Sequence, residues 1–296
     1  MGAQAKRLRP QWGMNLILIV ISATVILPFL LLIITSFTDE NSIIRNGYSF
    51  IPERLSLKAY SYLFRDASTI VHAYGISILV TLVGTFVSLL LITLLAYPIS
   101  RKDLPYRNAM AFYVFLTMLF NGGLVPTYMV YTQLFDIKNT IFALLVPYLL
   151  LNGFYVLLVR TFFATSIPAA IIESAYIDGA GEFRIFYGII LPLSLPILAT
   201  IGLFQMIAYW NDWFNSLIFI TDSKLFSLQY LLNKLLLDIQ FLAVANQSGS
   251  TQMVADLPKE SVRMAMAVIG TVPLLIAYPF LQKYFIKGLT VGAVKG

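Results

Sequence analysis

The chain has 296 residues, 59% of them apolar and only 11% charged, with a formal charge of +6 and no cysteine. Water-soluble domains carry roughly half apolar and a quarter charged residues, so this balance excludes an ordinary soluble domain. The missing cysteine excludes disulfides and thiolate metal sites. Uncharged stretches at 10–38, 67–100, 108–135, 139–159, 185–211 and 264–282 each supply the roughly 18–20 apolar residues that cross a ~30 Å hydrocarbon layer as a helix. A helix in lipid satisfies its own backbone hydrogen bonds. The expectation is therefore an all-α integral membrane bundle of six transmembrane helices, with residues 1–296 forming a single domain in contact with membrane lipid.

The first stretch starts with Lys6, Arg7 and Arg9 in the manner of a signal peptide. It is too long for a signal core and lacks a small-residue cleavage site, so it reads as a retained first helix. The loop at 38–70 is polar, with Asn46-Gly47 and Pro52 as breakers, and Leu104-Pro105 interrupts the short connection after the second span. The segment 213–242 is apolar but interrupted by Asp222, Lys224, Lys234 and Asp238, which makes it interfacial rather than a seventh span. The following polar stretch, including Asn246, Gln247, Ser250 and Gln252, reads as a solvated loop or a ligand-facing one. With both termini in the cytoplasm, Lys6, Arg7, Arg9, Arg101, Lys102, Arg107, Arg160, Arg184, Lys283, Lys287 and Lys295 all lie inside. Basic residues close to helix ends on the inner side set orientation. Topology, rather than nucleic acid, thus accounts for the positive charge.

Within the membrane, Tyr209-Trp210-Asn211-Asp212-Trp213 places a carboxylate at the outer end of the fifth span. Such a group is costly in lipid and faces the bundle or a water-filled path. Two readings stand side by side: aromatics and amides lining a passage, or an interfacial aromatic belt with Asp212 reaching headgroups. Together with the lone His72, this one carboxylate is thin material for a proton relay.

Between the fourth and fifth spans lies a polar island at 166–181. Ser166 can cap a helix whose first turn holds Pro168, and Gly179 can end it in a left-handed conformation. Ile171, Ile172, Ala175 and Tyr176 recur at helical spacing and give the helix an apolar stripe. A helix this short is unstable alone and needs a partner surface. Small residues such as Ser174, Ala175, Gly179 and Ala180 admit another backbone, while Glu173 and Asp178 offer fixed charges. On these grounds the segment is either an ordinary surface helix or a docking element.

Glu173, Ala175, Asp178, Gly179, Ala180, Leu191, Pro192 and Pro196 resemble the "EAA" loop of permease subunits in binding-protein-dependent ABC importers, with Ser174 standing where that pattern has Ala. Phe120 to Tyr128, Pro279 to Gly288 and Gly292 to Gly296 look like segments of a carbohydrate-importer subgroup, in its shorter, maltose-type "G" partner. The resemblance implies a bacterial cytoplasmic (inner) membrane protein that is not itself catalytic. Its partners would be a homologous second permease, two ATP-binding subunits and an extracytoplasmic solute-binding protein. ATP and Mg would be bound by the ATP-binding subunits and no cofactor by this chain. It also implies that 166–181 is the cytoplasmic coupling loop, with Glu173 ion-pairing to the ATPase and Gly179 setting the helix angle. Lys295 and Gly296 would reach the ATPase dimer, and 243–256 would probe the binding protein. The implied cargo is an oligosaccharide or polysaccharide fragment, with an acidic one such as alginate a named candidate.

Two other classes bear on the same residues. An autonomous ion-coupled secondary transporter predicts inverted repeats and several ionisable groups at mid-membrane, and neither is visible. A membrane enzyme acting on lipid-linked sugar needs clustered carboxylates, His or Cys at a membrane face. The sequence offers no such cluster, and no Gly-x-x-x-x-Gly-Lys-Ser/Thr phosphate loop occurs.

Overall fold

A computed structural model of the protein describes residues 12–247 and 258–293, with 242–247 and 280–293 described as backbone only. Among the described residues all regular structure is helical, and one isolated antiparallel bridge joins Thr38 to Leu55. In chain order the helices are α1 (Trp12–Ser36), α2 (Glu40–Asn46), α3 (Lys58–Leu63), α4 (Ala67–Ser100), α5 (Arg107–Leu119), α6 (Leu124–Met129) and α7 (Phe142–Leu145). There follow α8 (Gly153–Ser166), α9 (Ala169–Ile177), α10 (Glu182–Ile185), α11 (Leu191–Leu193), α12 (Leu195–Trp210), α13 (Phe214–Phe219), α14 (Leu228–Gln247) and α15 (Lys259–Ala293). Contacts divide the chain into two compact units, Met1–Ala67 with Leu236–Thr271, and Ser68–Leu235 with Val272–Gly296.

Three helical segments are long and apolar enough to cross a membrane, Trp12–Ser36, Lys58–Ser100 and Lys259–Pro279, and the number reaches six if each of three bent pairs is one span. The pairs are Arg107–Leu119 with Leu124–Leu134, Gly153–Ser166 with Ala169–Ile177, and Glu182–Leu193 with Leu195–Trp210. Counted that way the spans agree in number with the sequence reading, but the fourth differs in place. A continuous helix over 139–159 does not form. The chain makes only α7, breaks at Val146–Asn152, where Tyr148 takes a left-handed φ of 63°, and resumes as α8. Pro147 lacks the amide a helix would need at that point.

In the first unit the loop after α1 is held by local polar bonds. The Asp39 side chain accepts from the Asn41 amide at 3.1 Å and starts α2, and Gly47 at φ 72° ends it. The ring of Tyr60 stacks on Phe37 at 4.8 Å, and its hydroxyl lies 2.9 Å from Ser36 Oγ. The Glu40 carboxylate accepts from the Glu260 and Ser261 amides at 2.9 and 3.0 Å and from Ser261 Oγ at 2.8 Å. It thereby satisfies amides that the first turn of α15 leaves without partners.

In the second unit α4 carries the core. Its buried positions include Ala73, Ser77, Thr81, Gly84, Thr85, Ser88, Ile92 and Ala96, a stripe of small residues at helical spacing. The opposite side exposes Ile78, Leu82 and Phe86. Small, partly polar residues inside and large apolar ones outside are what lipid solvation favours, since close backbone approach rather than water exclusion holds such helices together. Around the stripe pack Val156, Val159, Phe163, Ile185, Ile190 and Ile201. A second cluster gathers Val80, Leu144, Tyr209, Phe219 and Phe226.

The α5–α6 bend of 112° falls in Phe120-Asn121-Gly122-Gly123. Gly123 has φ 86°, Asn121 Oδ1 accepts from its amide at 2.8 Å, and Thr127 Oγ1 donates to its carbonyl at 2.7 Å. Both backbone polar groups of Gly123 are therefore met within the break, which is what non-helical backbone at membrane depth needs.

Candidate functional site

The docking segment forms as a nine-residue helix, α9, but begins differently from the expected pattern. Ser166 is the last residue of α8 and does not cap α9; Ile167 is extended at φ −99°, ψ 116°, and Pro168 occupies the N-cap. The physical reason is steric, because the ring of a proline drives the preceding residue out of the helical region. Ser166 therefore cannot sit one turn ahead of a continuous helix start. At the other end Gly179 has φ 77°, its amide donates to the Tyr176 carbonyl at 2.9 Å, and the Ala180 amide donates to the Ala175 carbonyl at 2.9 Å. That pair of bonds is a Schellman termination, which places glycine at the left-handed position.

Only part of the expected stripe turns inward. Ala175 is buried and Ile172 and Ala180 are half-buried against the core, while Ile171 and Tyr176 keep about a third of their surface. Ile177 is 86% and Phe183 76% exposed. Glu173, Ser174 and Asp178 are also exposed, and Ser174 Oγ donates back to the Ile171 carbonyl at 3.0 Å. Glu173 makes no ion pair with the described residues. The outward side is thus a mixed surface of two large apolar groups and two carboxylates around a short helix.

Behind it lies a polar cluster that the sequence reading missed. Arg101, just past α4, donates from Nε and Nη2 to the two oxygens of Asp103 at 2.8 and 2.7 Å. Its Nη1 donates to the hydroxyls of Tyr176 at 2.8 Å and Tyr97 at 3.0 Å and lies 3.5 Å from Glu182 Oε2. Glu182 in turn accepts from the Tyr97 hydroxyl at 2.6 Å and, through its other oxygen, from Tyr176. The bidentate bond from Arg101 holds the Asp103 carboxyl below its usual range and raises Arg101 further above its own. No sequence signal would have gathered these residues, because Arg101 stands 75 positions from Tyr176 and 81 from Glu182.

At the other end of the spans, the Tyr209–Asp212 stretch braces the broken segment after α7. Tyr209, buried, donates its hydroxyl to the Leu145 carbonyl at 2.9 Å. Gln205 Nε2 donates to the Leu149 carbonyl at 3.0 Å and also to Ser88 Oγ. Asn215 Nδ2 donates to the Pro147 carbonyl at 3.0 Å. Asp212 Oδ1 accepts from the Phe214 and Asn215 amides at 3.1 and 3.2 Å and starts α13. Trp210 is buried, whereas Asn211 is exposed and donates to the Ile207 carbonyl at 3.0 Å. His72 Nε2 pairs with the Lys224 carbonyl at 2.6 Å.

Asn246 and Gln247 end the described part of α14 as backbone, and Ser250, Gln252, Lys295 and Gly296 lie outside the described residues. No group of three His, Asp or Glu able to hold a metal ion occurs among the described residues.

Comparison with known proteins bears on both ends of this arrangement. Protein LplC of Bacillus subtilis is 38% identical over 276 residues, covering 93% of this chain and 91% of its own. The polygalacturonan/rhamnogalacturonan transport system permease protein YtcP of the same organism is 37% identical over 273 residues, covering 92% and 93%. A chain in the crystal structure of a bacterial ABC transporter involved in the import of the acidic polysaccharide alginate superposes with a TM-score of 0.77 at 26% identity, covering 96% of this chain and 99% of that one. Residues 76–291, which run from α4 through the α9 surface to α15, match the family described as the binding-protein-dependent transport system inner membrane component, and the chain belongs to that family.

Proposed function

We propose that this chain is the translocating permease of an ATP-driven importer for an oligosaccharide or polysaccharide fragment, and that α9 docks on an ATP-binding subunit. The observation that carries this reading is the outward side of α9. A short helix closed by Gly179 at φ 77° presents Glu173 and Asp178 beside the exposed Ile177, between α8 and α10 and bent 77° away from α8. A large apolar group ringed by charge on a helix too short to persist alone is suited to a cleft in another protein.

In this reading Glu173 meets a cationic group of the ATPase, and Ser174, Ala175, Gly179 and Ala180 admit its backbone. Closure of two ATPases on nucleotide then biases a two-state bundle. A homologous second permease completes the passage, and a solute-binding protein delivers sugar from outside. Lys295 and Gly296 would reach the ATPases, and the region of Asn246, Gln247, Ser250 and Gln252 would meet the binding protein. Both termini are assigned to the cytoplasm. Tyr209 and Asp212 serve the frame of the passage, leaving exposed Asn211 and Trp213 as the groups from this stretch that can meet sugar. The polygalacturonan/rhamnogalacturonan permease and the alginate importer named above favour an acidic cargo.

The test is assembly and stimulation. The chain, a second permease, an ATP-binding subunit and a binding protein are co-expressed, and ATPase activity is measured in nanodiscs with neutral and acidic oligosaccharides. Sugar-loaded binding protein is expected to raise ATPase activity, and Glu173→Ala and Gly179→Asp to reduce the ATPase retained on purification. Sugar movement by this chain with no ATPase present, driven by an ion gradient, would replace this reading with the secondary-transporter one.

A further inference from the structure

The surface of α9 explains how a partner is held, but not how a push on it reaches the spans. Of its nine residues only Ala175 is buried, with Ile172 half-buried against the core, and an apolar anchor that small resists sliding and rolling poorly. The cluster behind α9 supplies what is missing. Asp103 takes one edge of the Arg101 guanidinium in a two-point bond at 2.8 and 2.7 Å, which fixes the plane of the group. The remaining Nη1 is thereby aimed at Tyr176 in α9 and Tyr97 in α4. Glu182, at the start of α10, accepts from both tyrosine hydroxyls and closes the ring. The guanidinium carbon also lies 5.2 Å from the Tyr176 ring centre and 5.9 Å from that of Tyr97, within cation–π range of both. Three elements therefore meet at one planar cation whose side chain is only 15% exposed.

We propose that Arg101 is a positioning residue for energy coupling: with Tyr97, Tyr176 and Glu182 it clamps the C-terminal end of α9 to the inner end of α4, so that movement of the docked helix is passed to that 34-residue span rather than dissipated in the loop. The proposal rests on the docking role of α9, but the clamp residues stand apart from Glu173 and Gly179, the residues assigned there to grip and angle. Lysine at 101 keeps the charge but cannot hold Asp103 by two points and still serve both hydroxyls. Contiguous hydrogen-bonded networks with discrete arrangements are the physical means by which such coupling travels.

The experiment uses the complete importer in proteoliposomes, comparing wild type with Arg101→Ala, Arg101→Lys and Tyr176→Phe. Two quantities are read: ATPase retained through purification, and sugar moved per ATP hydrolysed. Retention is expected to match wild type throughout, while sugar per ATP falls about three- to tenfold in Arg101→Ala. A smaller fall is expected for Tyr176→Phe, and Arg101→Lys does not restore the wild-type ratio. A retained ATPase with an unchanged ratio in Arg101→Ala overturns the clamp and leaves docking intact. Should Arg101→Ala fail to assemble, Tyr176→Phe decides, since it removes one hydroxyl and keeps the ring; a lowered ratio sustains the proposal and an unchanged one overturns it. Failure of the wild type to retain any ATPase removes the docking reading, and the clamp with it.

Discussion

At Gly84 an added Cβ would come 2.5 Å from the Tyr209 ring, and the ring cannot swing aside without giving up its hydroxyl bond to the Leu145 carbonyl. Gly84→Ala is therefore expected to destabilise the protein by about 1–3 kcal/mol, the usual range for overpacking, seen as a lower melting temperature in detergent. Gly75→Ala in the same helix is the control, because nothing lies within 4 Å of a Cβ there. Asp103 gives a pH-dependent counterpart. Its folded pKa is depressed, first by the hydrogen bond from Arg101, so its contribution is complete above the unfolded value of about 4. It is lost as pH falls through the lower folded value. Asp103→Asn should thus melt below wild type near neutrality, with the two curves converging in acid. The difference will be small, because the Asp103 side chain is 68% exposed and water screens it.

The broken segment between α7 and α8 shows how one element depends on another far along the chain. Its Leu145, Pro147 and Leu149 carbonyls are met by Tyr209, Asn215 and Gln205. Gln205→Leu keeps much of the volume but leaves the Leu149 carbonyl without its donor, a loss expected to cost about 1–3 kcal/mol and to be measurable by thermal unfolding in detergent. Such a break is hard to read from sequence, because Pro147 alone is equally compatible with a mild kink inside a continuous 139–159 span. The rescuing side chains sit more than fifty positions away. Short-range signals fared better at α9. The left-handed Gly179 was legible because it is the first glycine after the helical spacing of Ile171, Ile172, Ala175 and Tyr176. The Ser166 cap was a misreading in which the steric demand of Pro168 on Ile167 outweighed the preference of serine for a helix start.

Across the whole molecule, the spans other than the fourth were legible because lipid imposes a length and an absence of charge that the sequence displays directly. Their inner faces were not. On α4 the buried stripe is made of Ser77, Thr81, Gly84 and Ser88, residues that a soluble protein would show to water. Hydrophobic periodicity therefore points the wrong way in such a helix. The Arg101 cluster was hidden for another reason: its members were visible only as inside charges and scattered tyrosines until the fold joined them.

The Glu40 carboxylate sets an order in time. It serves amides at the start of a helix made 220 residues later. Ribosomes add roughly 5–20 residues per second, so the carboxylate waits on the order of ten to forty-five seconds for its partners. During that interval the loop after α1 has only its local bonds, and its contact to α15 is still to come. A chain released before Lys259 would carry the acid and lack the amides it was made to hold, the mark of an unfinished molecule.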